Sequence, residues 1–110
     1  MSKYGAPVPK LWQRIKDLED APPIRTLTHK RLNTITEVDQ KCVFTAERKT
    51  PVRFNGKWGL YESYRVLHED GYLLISRNGG NASGSYLTMA IILAAVPDEA
   101  VQADQGIKLR

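Results

Sequence analysis

The first apolar pattern in the chain has the period of an amphipathic helix. Its five large apolar residues recur on one helix face: Val8, Leu11, Trp12, Ile15 and Leu18. Pro9 suits the first turn of such a helix, because its missing N–H would have no partner there. Residues before a proline avoid helical geometry, so this helix is expected to end at Ala21-Pro22-Pro23.

The pattern from residue 24 to residue 50 is typical of strands. This segment holds six threonines together with isoleucine, valine and phenylalanine, which favour extended structure. Residues 33–38 and 41–47 are predicted to form a hairpin with a tight turn at Asp39-Gln40. Residues 24–28 are a candidate third strand. A hairpin alone is marginal, so its inner face should lie on the helices.

A basic loop and a second helix are predicted after the hairpin. Residues 48–56 contain proline and Asn-Gly, which interrupt regular structure. Apolar residues then return at helical spacing between residues 58 and 69, and Gly71 suits a C-terminal cap. Residues 73–76 are predicted to be a short extended piece.

The third predicted helix, residues 86–96, is apolar on nearly every side. Such a helix lies at the centre of a domain or in a subunit contact. Pro97 ends it, and residues 98–110 carry few large apolar groups, so they are predicted to form a flexible tail. The order of elements predicts an α+β fold: one small domain over residues 1–97 with an N-terminal helix, an antiparallel hairpin or three-stranded meander, and two further helices.

Length and composition limit the class of protein. A chain of 110 residues with 25% charged and 42% hydrophobic residues is typical of a single globular domain. No apolar run is long enough to span a membrane, and the N-terminus lacks the pattern of a secretory signal. Cys42 is the single cysteine, so an internal disulfide is excluded. A cytoplasmic protein that does not bind membranes is expected.

Positive charge is concentrated in one third of the chain. The net charge is +4, and residues 24–57 hold eight Lys and Arg against three Asp and Glu. This concentration favours a polyanionic partner, although a solvated hairpin edge is the alternative. The candidate phosphate-binding residues are Arg25, Lys30, Arg31, Arg48, Lys49, Arg53 and Lys57. Phe54 and Trp58 stand among them and would stack on exposed bases, with a core position as the alternative for Trp58.

A glycine-rich loop, NGGNASGS at residues 78–85, comes directly before the third predicted helix. The free N–H groups of a helix N-terminus bind phosphate readily. Arg77 would neutralise a phosphate, and Asn81 would contact a base edge. The remaining candidates would donate hydrogen bonds to backbone oxygens: Ser83, Ser85 and Tyr86. The equally weighted alternative is a loop that only caps the helix.

Residues that carry catalysis or bind metals are sparse. His29 and His68 lie far apart in sequence, and one cysteine does not provide the spacing of a zinc site. Cys42 is interpreted as an inert buried thiol. The carboxylates of the second predicted helix are interpreted as a solvated face rather than an acid–base pair: Glu62, Glu69 and Asp70. Neither an enzyme, a cofactor, a metal nor a small-molecule substrate is expected.

Three local patterns occur in a recognisable order between Arg25 and Pro97. The hairpin ends in the sequence TAER at residues 45–48, a helix with a late glycine follows, and a Ser/Tyr-capped apolar helix begins near residue 83. This stretch resembles a small winged-helix-like domain found alone or fused to bacterial restriction-type HNH endonucleases. The resemblance implies a DNA-binding module of a phage or bacterial defence system, without the nuclease itself.

These observations lead to three hypotheses of function. The first is a non-catalytic module that binds double-stranded DNA with its basic hairpin and the first turn of its last helix. The alternative is a protein-interaction module, such as an adaptor or inhibitor, that uses the apolar helix 86–96 to bind a partner or a second copy. The third is RNA binding, with Phe54, Tyr61 or Tyr64 stacking on single strands.

Overall fold

The computed structural model describes residues 7–26, 31–57, 59–74, 86–104 and 106–110. Within these ranges the helices are α1 (Pro9–Lys16), α2 (Leu60–Asp70) and α3 (Tyr86–Ala95). The strands are β1 (Ile24–Arg25), β2 (Leu32–Asn33), β3 (Ile35–Val38), β4 (Cys42–Thr45), β5 (Val52–Arg53), β6 (Tyr72–Leu74), β7 (Ala100–Ala103) and β8 (Gly106–Leu109). The predicted α+β class is confirmed, while the winged-helix arrangement stays a prediction.

Helix α1 buries the face that the sequence predicted. Leu11 and Ile15 are almost completely buried, and Trp12 is half-buried with its Nε1–H donating to the Asp39 carbonyl at 2.9 Å. A 3₁₀ turn over Asp17–Asp20 continues the helix up to the two prolines. The indole hydrogen bond fixes α1 against the β3–β4 turn.

Strands β3, β4 and β5 form an antiparallel meander in that order. Its first turn is held by Asp39, whose Oδ1 accepts the N–H groups of Lys41 and Cys42 at 2.7 Å each. The predicted hairpin is confirmed. The third strand, however, is β5 from the predicted basic loop, because Val52 pairs with Val43. The candidate strand at residues 24–28 instead contributes β1 to a separate two-stranded sheet with β2.

Helices α2 and α3 lie at the positions predicted from the sequence. Gly71 caps α2 in the left-handed region at φ 84°, and its N–H donates to the Leu67 carbonyl at 2.8 Å. Most of α3 is buried, with Ile91 and Ile92 fully inside the core. Residues of both helices join a single apolar cluster with α1 and the sheets. The apolar helix is therefore a core element of this chain.

The prediction of a flexible tail at residues 98–110 is wrong. Strands β7 and β8 form an antiparallel hairpin, and β8 also pairs with β6, so the sheet order is β6-β8-β7. Ala100 and Ile107 are almost completely buried, whereas Gln102 and Lys108 are exposed. The few apolar residues of this segment alternate with polar ones, and a strand needs only one apolar face.

Candidate functional site

The basic candidates near the meander lie on exposed parts of the chain. Arg31 comes directly before β2, and Arg48 and Lys49 lie between β4 and β5. Arg53 is in β5, and Lys57 comes shortly before α2. All five residues are exposed. The structure therefore leaves these charges accessible to a partner.

Three of these cations meet around one small cavity of about 230 Å³. Its charged lining residues are Arg48, Arg53 and Lys57, and none of the described residues that line it is acidic. The rest of its wall comes from Thr50, Pro51, Val52, Gly59 and Thr88. We call this space the basic cavity.

A second cavity of about 400 Å³ has a mixed lining and shares Arg48 with the basic cavity. Its polar residues are Thr26, Arg31, Asn33, Glu47 and Arg48, and its apolar wall is formed by Leu32, Tyr86 and Leu87. We call this space the mixed cavity. Both cavities border the first turn of α3. Thr88 lines the basic cavity, and Tyr86 and Leu87 line the mixed cavity.

The chain that follows β5 enters the core at Phe54 and then turns at Gly56, and this path forms part of the basic cavity. The Phe54 N–H donates to the Lys41 carbonyl at 2.9 Å, and the Phe54 ring is fully buried, 5.2 Å from the ring centroid of Tyr61. Gly56 then turns the chain with φ 90°. A Cβ at Gly56 would lie 3.9 Å from Arg53 Cζ, so the guanidinium lies beside this turn. Local folding therefore places Arg53 and Lys57 on the same cavity.

Hydrogen bonds beside the β3–β4 hairpin and at the β1–β2 pair fix the wall of the mixed cavity. Glu47 Oε1 accepts the Thr34 N–H at 2.7 Å, and this bond holds the pKa of the Glu47 carboxyl below its usual value. Thr26 Oγ1 accepts the Arg31 N–H at 3.0 Å, and Asn33 Nδ2 donates to the Arg31 carbonyl at 3.3 Å. The cavity thus carries an ionised carboxylate as well as guanidinium groups.

Four cations of helices α1 and α2 are paired with carboxylates. Four ion pairs involve lysine or arginine: Lys10–Glu99, Arg14–Asp98, Lys16–Glu19 and Arg65–Glu69. None of the ion pairs in the described ranges involves Arg31, Arg48, Lys49 or Arg53. The lysines and arginines of α1 and α2 are therefore neutralised by carboxylates, whereas these four basic residues beside the meander have no ion pair in the part of the chain that the structure describes.

The stacking predicted for two of the aromatic residues is wrong. Phe54 is fully buried and Tyr61 is 5% exposed, so neither ring is available to a base. Phe54 turns inward because its backbone extends the β4–β5 pairing and its ring packs on α2. Tyr64 is half-buried and donates its hydroxyl hydrogen to Glu99 Oε1 at 2.6 Å. Trp58 is not among the described residues.

The remaining candidates divide into described residues away from the cavities and residues that are not described. Arg25 is exposed in β1, and Arg25 and Lys49 line neither cavity. Five candidates lie outside the described residues: Lys30, Arg77, Asn81, Ser83 and Ser85. Sequence reasoning missed Glu47 and Asn33 as lining residues, because their proximity to α3 depends on the packing of β1 against that helix and on the pairing of β2 with β1.

Among the residues expected to be inert, Glu62 departs from its prediction. It was interpreted as part of a solvated face, but it is 8% exposed, and its Oε2 is buried without a hydrogen-bond partner in the described structure. Cys42 is half-buried in β4. Within the described residues, no cluster of three or more His, Cys, Asp or Glu is arranged to hold a metal, and no helix is sufficiently long and apolar to cross a membrane.

Comparison of the chain with protein-family models, with curated proteins and with solved structures finds no match.

Proposed function

We propose that this chain is a non-catalytic module that binds double-stranded DNA through the basic surface beside the meander. The observation that carries the proposal is the meeting of Arg48, Arg53 and Lys57 around one cavity whose described lining holds no acidic residue. A cytoplasmic location and a role in a phage or bacterial defence system, which the sequence resemblance implies, belong to the same proposal.

The size and chemistry of the basic cavity favour a phosphate group. At about 230 Å³ it is smaller than the roughly 300–1,000 Å³ of typical small-molecule sites. Guanidinium groups donate two parallel hydrogen bonds to phosphate oxygens, and an ammonium group adds a compact positive charge. Three cations on one cavity also repel one another, and a bound polyanion would relieve that repulsion.

The position of the aromatic rings supports a duplex over a single strand. Proteins that bind single strands without sequence preference stack successive bases on exposed aromatic side chains. Two of the three rings proposed for that role, Phe54 and Tyr61, are in the core. Binding of single-stranded RNA by stacking is therefore less well supported than binding of a duplex.

The protein-interaction hypothesis rested on the apolar helix that became α3. Its large apolar residues pack mainly inside the chain, where Leu87, Ile91 and Ile92 are at most 2% exposed. Three large hydrophobic residues of the described chain are exposed, at separate positions in the strands: Leu32, Phe44 and Tyr72. Single exposed apolar residues are ordinary on protein surfaces. DNA binding is therefore the better supported proposal.

The test is the salt dependence of duplex binding, measured by fluorescence anisotropy of a labelled duplex. Contacts with three to five phosphates predict a slope of about −3 to −4.5 for log K against log salt concentration. The double variant Arg48→Gln and Arg53→Gln removes two contacts, so the slope should weaken by about two units.

The matched control is Arg65→Gln, because Arg65 is an exposed arginine already paired with Glu69 on α2. This variant should keep the wild-type slope. A double variant whose slope equals that of the wild type would refute the assignment of Arg48 and Arg53. Absence of duplex binding at low salt would refute the proposed function itself.

A further inference from the structure

The mixed cavity differs from the basic cavity in a way that the binding of phosphates does not explain. Glu47 lines it together with Arg31 and Arg48, so an acidic residue stands among its polar lining residues. A carboxylate repels a phosphate, so this cavity is poorly suited to a second phosphate of the backbone. Its ligand should carry hydrogen-bond donors for the carboxylate and acceptors for the guanidinium groups.

The apolar lining and the volume of the mixed cavity favour a flat ring as its ligand. Leu32, Tyr86 and Leu87 contribute apolar surface to the cavity lining, and Leu32 is 48% exposed. The volume of about 400 Å³ falls within the roughly 300–1,000 Å³ of small-molecule sites, which combine apolar walls with a few placed polar groups. A nucleobase has two apolar faces and a polar edge, so it matches this combination.

Among the bases, guanine best matches the polar groups. It carries two adjacent donors, N1–H and the N2 amino group, which fit the oxygens of one carboxylate. Its O6 and N7 accept the paired donors of an arginine. Adenine offers a single amino group beside a ring nitrogen that is an acceptor. The lone pair of this nitrogen would repel the carboxylate. The donor edge of guanine is free only when the base is unpaired.

Arg48 connects the two cavities, because it lines both of them. A nucleotide likewise joins a base to a phosphate through one sugar. We propose that the mixed cavity takes the base of an unpaired guanine in a DNA strand, while the basic cavity holds a phosphate of the same nucleotide. The N1–H and the N2 amino group of the base are directed to Glu47. This inference rests on the proposed function.

The test compares three labelled duplexes that share their flanking sequence. One is fully paired, one contains a single bulged guanine, and one contains a bulged abasic nucleotide. The bulged guanine should bind about tenfold more tightly than the paired duplex, because its base is already out of the stack. The abasic bulge should lack this advantage, since it fills only the basic cavity.

The variant Glu47→Gln tests the role of the carboxylate. The Gln carbonyl can still accept the Thr34 N–H, so the hairpin should keep its fold, which circular dichroism checks. We expect the preference for the guanine bulge to fall about tenfold while the salt slope stays unchanged. The control is Glu37→Gln, because Glu37 is exposed in β3 and lines neither cavity. It should retain the preference.

Three outcomes would overturn the proposal, and they differ from one another. Equal affinity for the three duplexes, with a steep salt slope, would remove the base site but leave DNA binding in place. No salt-dependent binding of any duplex would remove the proposed function as well. If free deoxyguanosine monophosphate binds as tightly as the bulged duplex, the site is one for a free nucleotide rather than for a DNA strand. If Glu47→Gln unfolds, the comparison of guanine and abasic bulges on the wild-type protein still decides.

Discussion

Glu99 is a residue through which several elements of this fold are connected. Its carboxylate accepts hydrogen bonds from Tyr64 Oη at 2.6 Å and Lys10 Nζ at 3.0 Å, and His68 Nε2 lies 3.0 Å away. Burial raises the pKa of Glu99, but the hydrogen bonds from Tyr64 and Lys10 outweigh it, so the pKa is lowered overall. One carboxylate thus joins α1 and α2 to the turn that precedes β7.

Two positions require glycine for different physical reasons, one for lack of space and one for a positive φ. Substitution by alanine should destabilise the two positions to different extents. At Gly106 a Cβ would clash with the Leu73 carbonyl oxygen, so Gly106→Ala must displace β6 from β8. We expect a loss of about 3 kcal/mol of unfolding free energy. At Gly71 the space is open but φ is +84°, so Gly71→Ala should cost about 1 kcal/mol.

Urea denaturation of both variants measures these losses. The control is Gly71→Asn, because asparagine tolerates the left-handed region better than alanine and should recover part of the loss. A Gly106→Ala protein as stable as the wild type would contradict the close approach of β6 and β8.

At the scale of elements, the β7–β8 hairpin completes the core beneath α2 and α3. Strand β8 is the central strand of its sheet, and it contacts both helices. Ile107 is fully buried in the common apolar cluster, while its neighbour Lys108 is exposed. The C-terminal segment therefore contributes directly to folding.

Truncation of a single β8 side chain should reveal this contribution. Ile107→Ala removes a fully buried side chain, and we expect the free energy of unfolding to fall by about 2–4 kcal/mol. Lys108→Ala, on the solvent side of the same strand, should change it by less than about 0.5 kcal/mol. Thermal and urea unfolding provide the measurement. Equal, small effects of the two substitutions would indicate that the hairpin is peripheral.

At the scale of the whole molecule, charge is divided between two surfaces. On the helices, lysine and arginine are held by carboxylates such as Glu99 and Asp98. Beside the meander, Arg48 and Arg53 have no ion pair within the described residues. The modest net charge of +4 thus understates the local positive potential available to a polyanion.

The hydrogen-bonded carboxylates predict loss of stability in acid. Five of them have pKa values lowered from the ordinary 3.8 for Asp or 4.5 for Glu: Glu19, Asp39, Glu47, Asp98 and Glu99. In the unfolded chain these groups take up protons at a higher pH than in the fold. Their stabilisation is therefore complete above about pH 4.5 and is lost as the pH falls through the lower folded-state values.

Melting temperatures measured between pH 7 and pH 2.5 test this prediction, and the melting temperature should fall in the acid part of the range. The comparison variant is Asp39→Asn, whose side-chain oxygen can still accept the N–H groups of Lys41 and Cys42. The pKa of Asp39 is lowered chiefly by these two bonds, so the variant should lose less stability in acid than the wild type. An identical acid dependence would exclude Asp39 as a contributor.

Local features of the sequence determined much of the secondary structure. The four-residue spacing of Leu11 and Ile15, close to one helical turn, predicted α1, and the β-branched pattern around Asp39 predicted the β3–β4 hairpin. Gly71 marked the end of α2 because only a residue that tolerates positive φ fits there. Each of these features depends on residues close to one another along the chain, so the sequence alone was sufficient.

Only the tertiary structure decided which strands pair and which side chains meet. Strand β5 joined the meander, and β8 inserted beside β6, because the partner of a short strand depends on distant residues that bury the same face. The same packing turned Phe54 into the core and placed Arg48 beside both α3 and β5. The number of basic residues was visible in the sequence, but their arrangement around two cavities that share Arg48 required the fold.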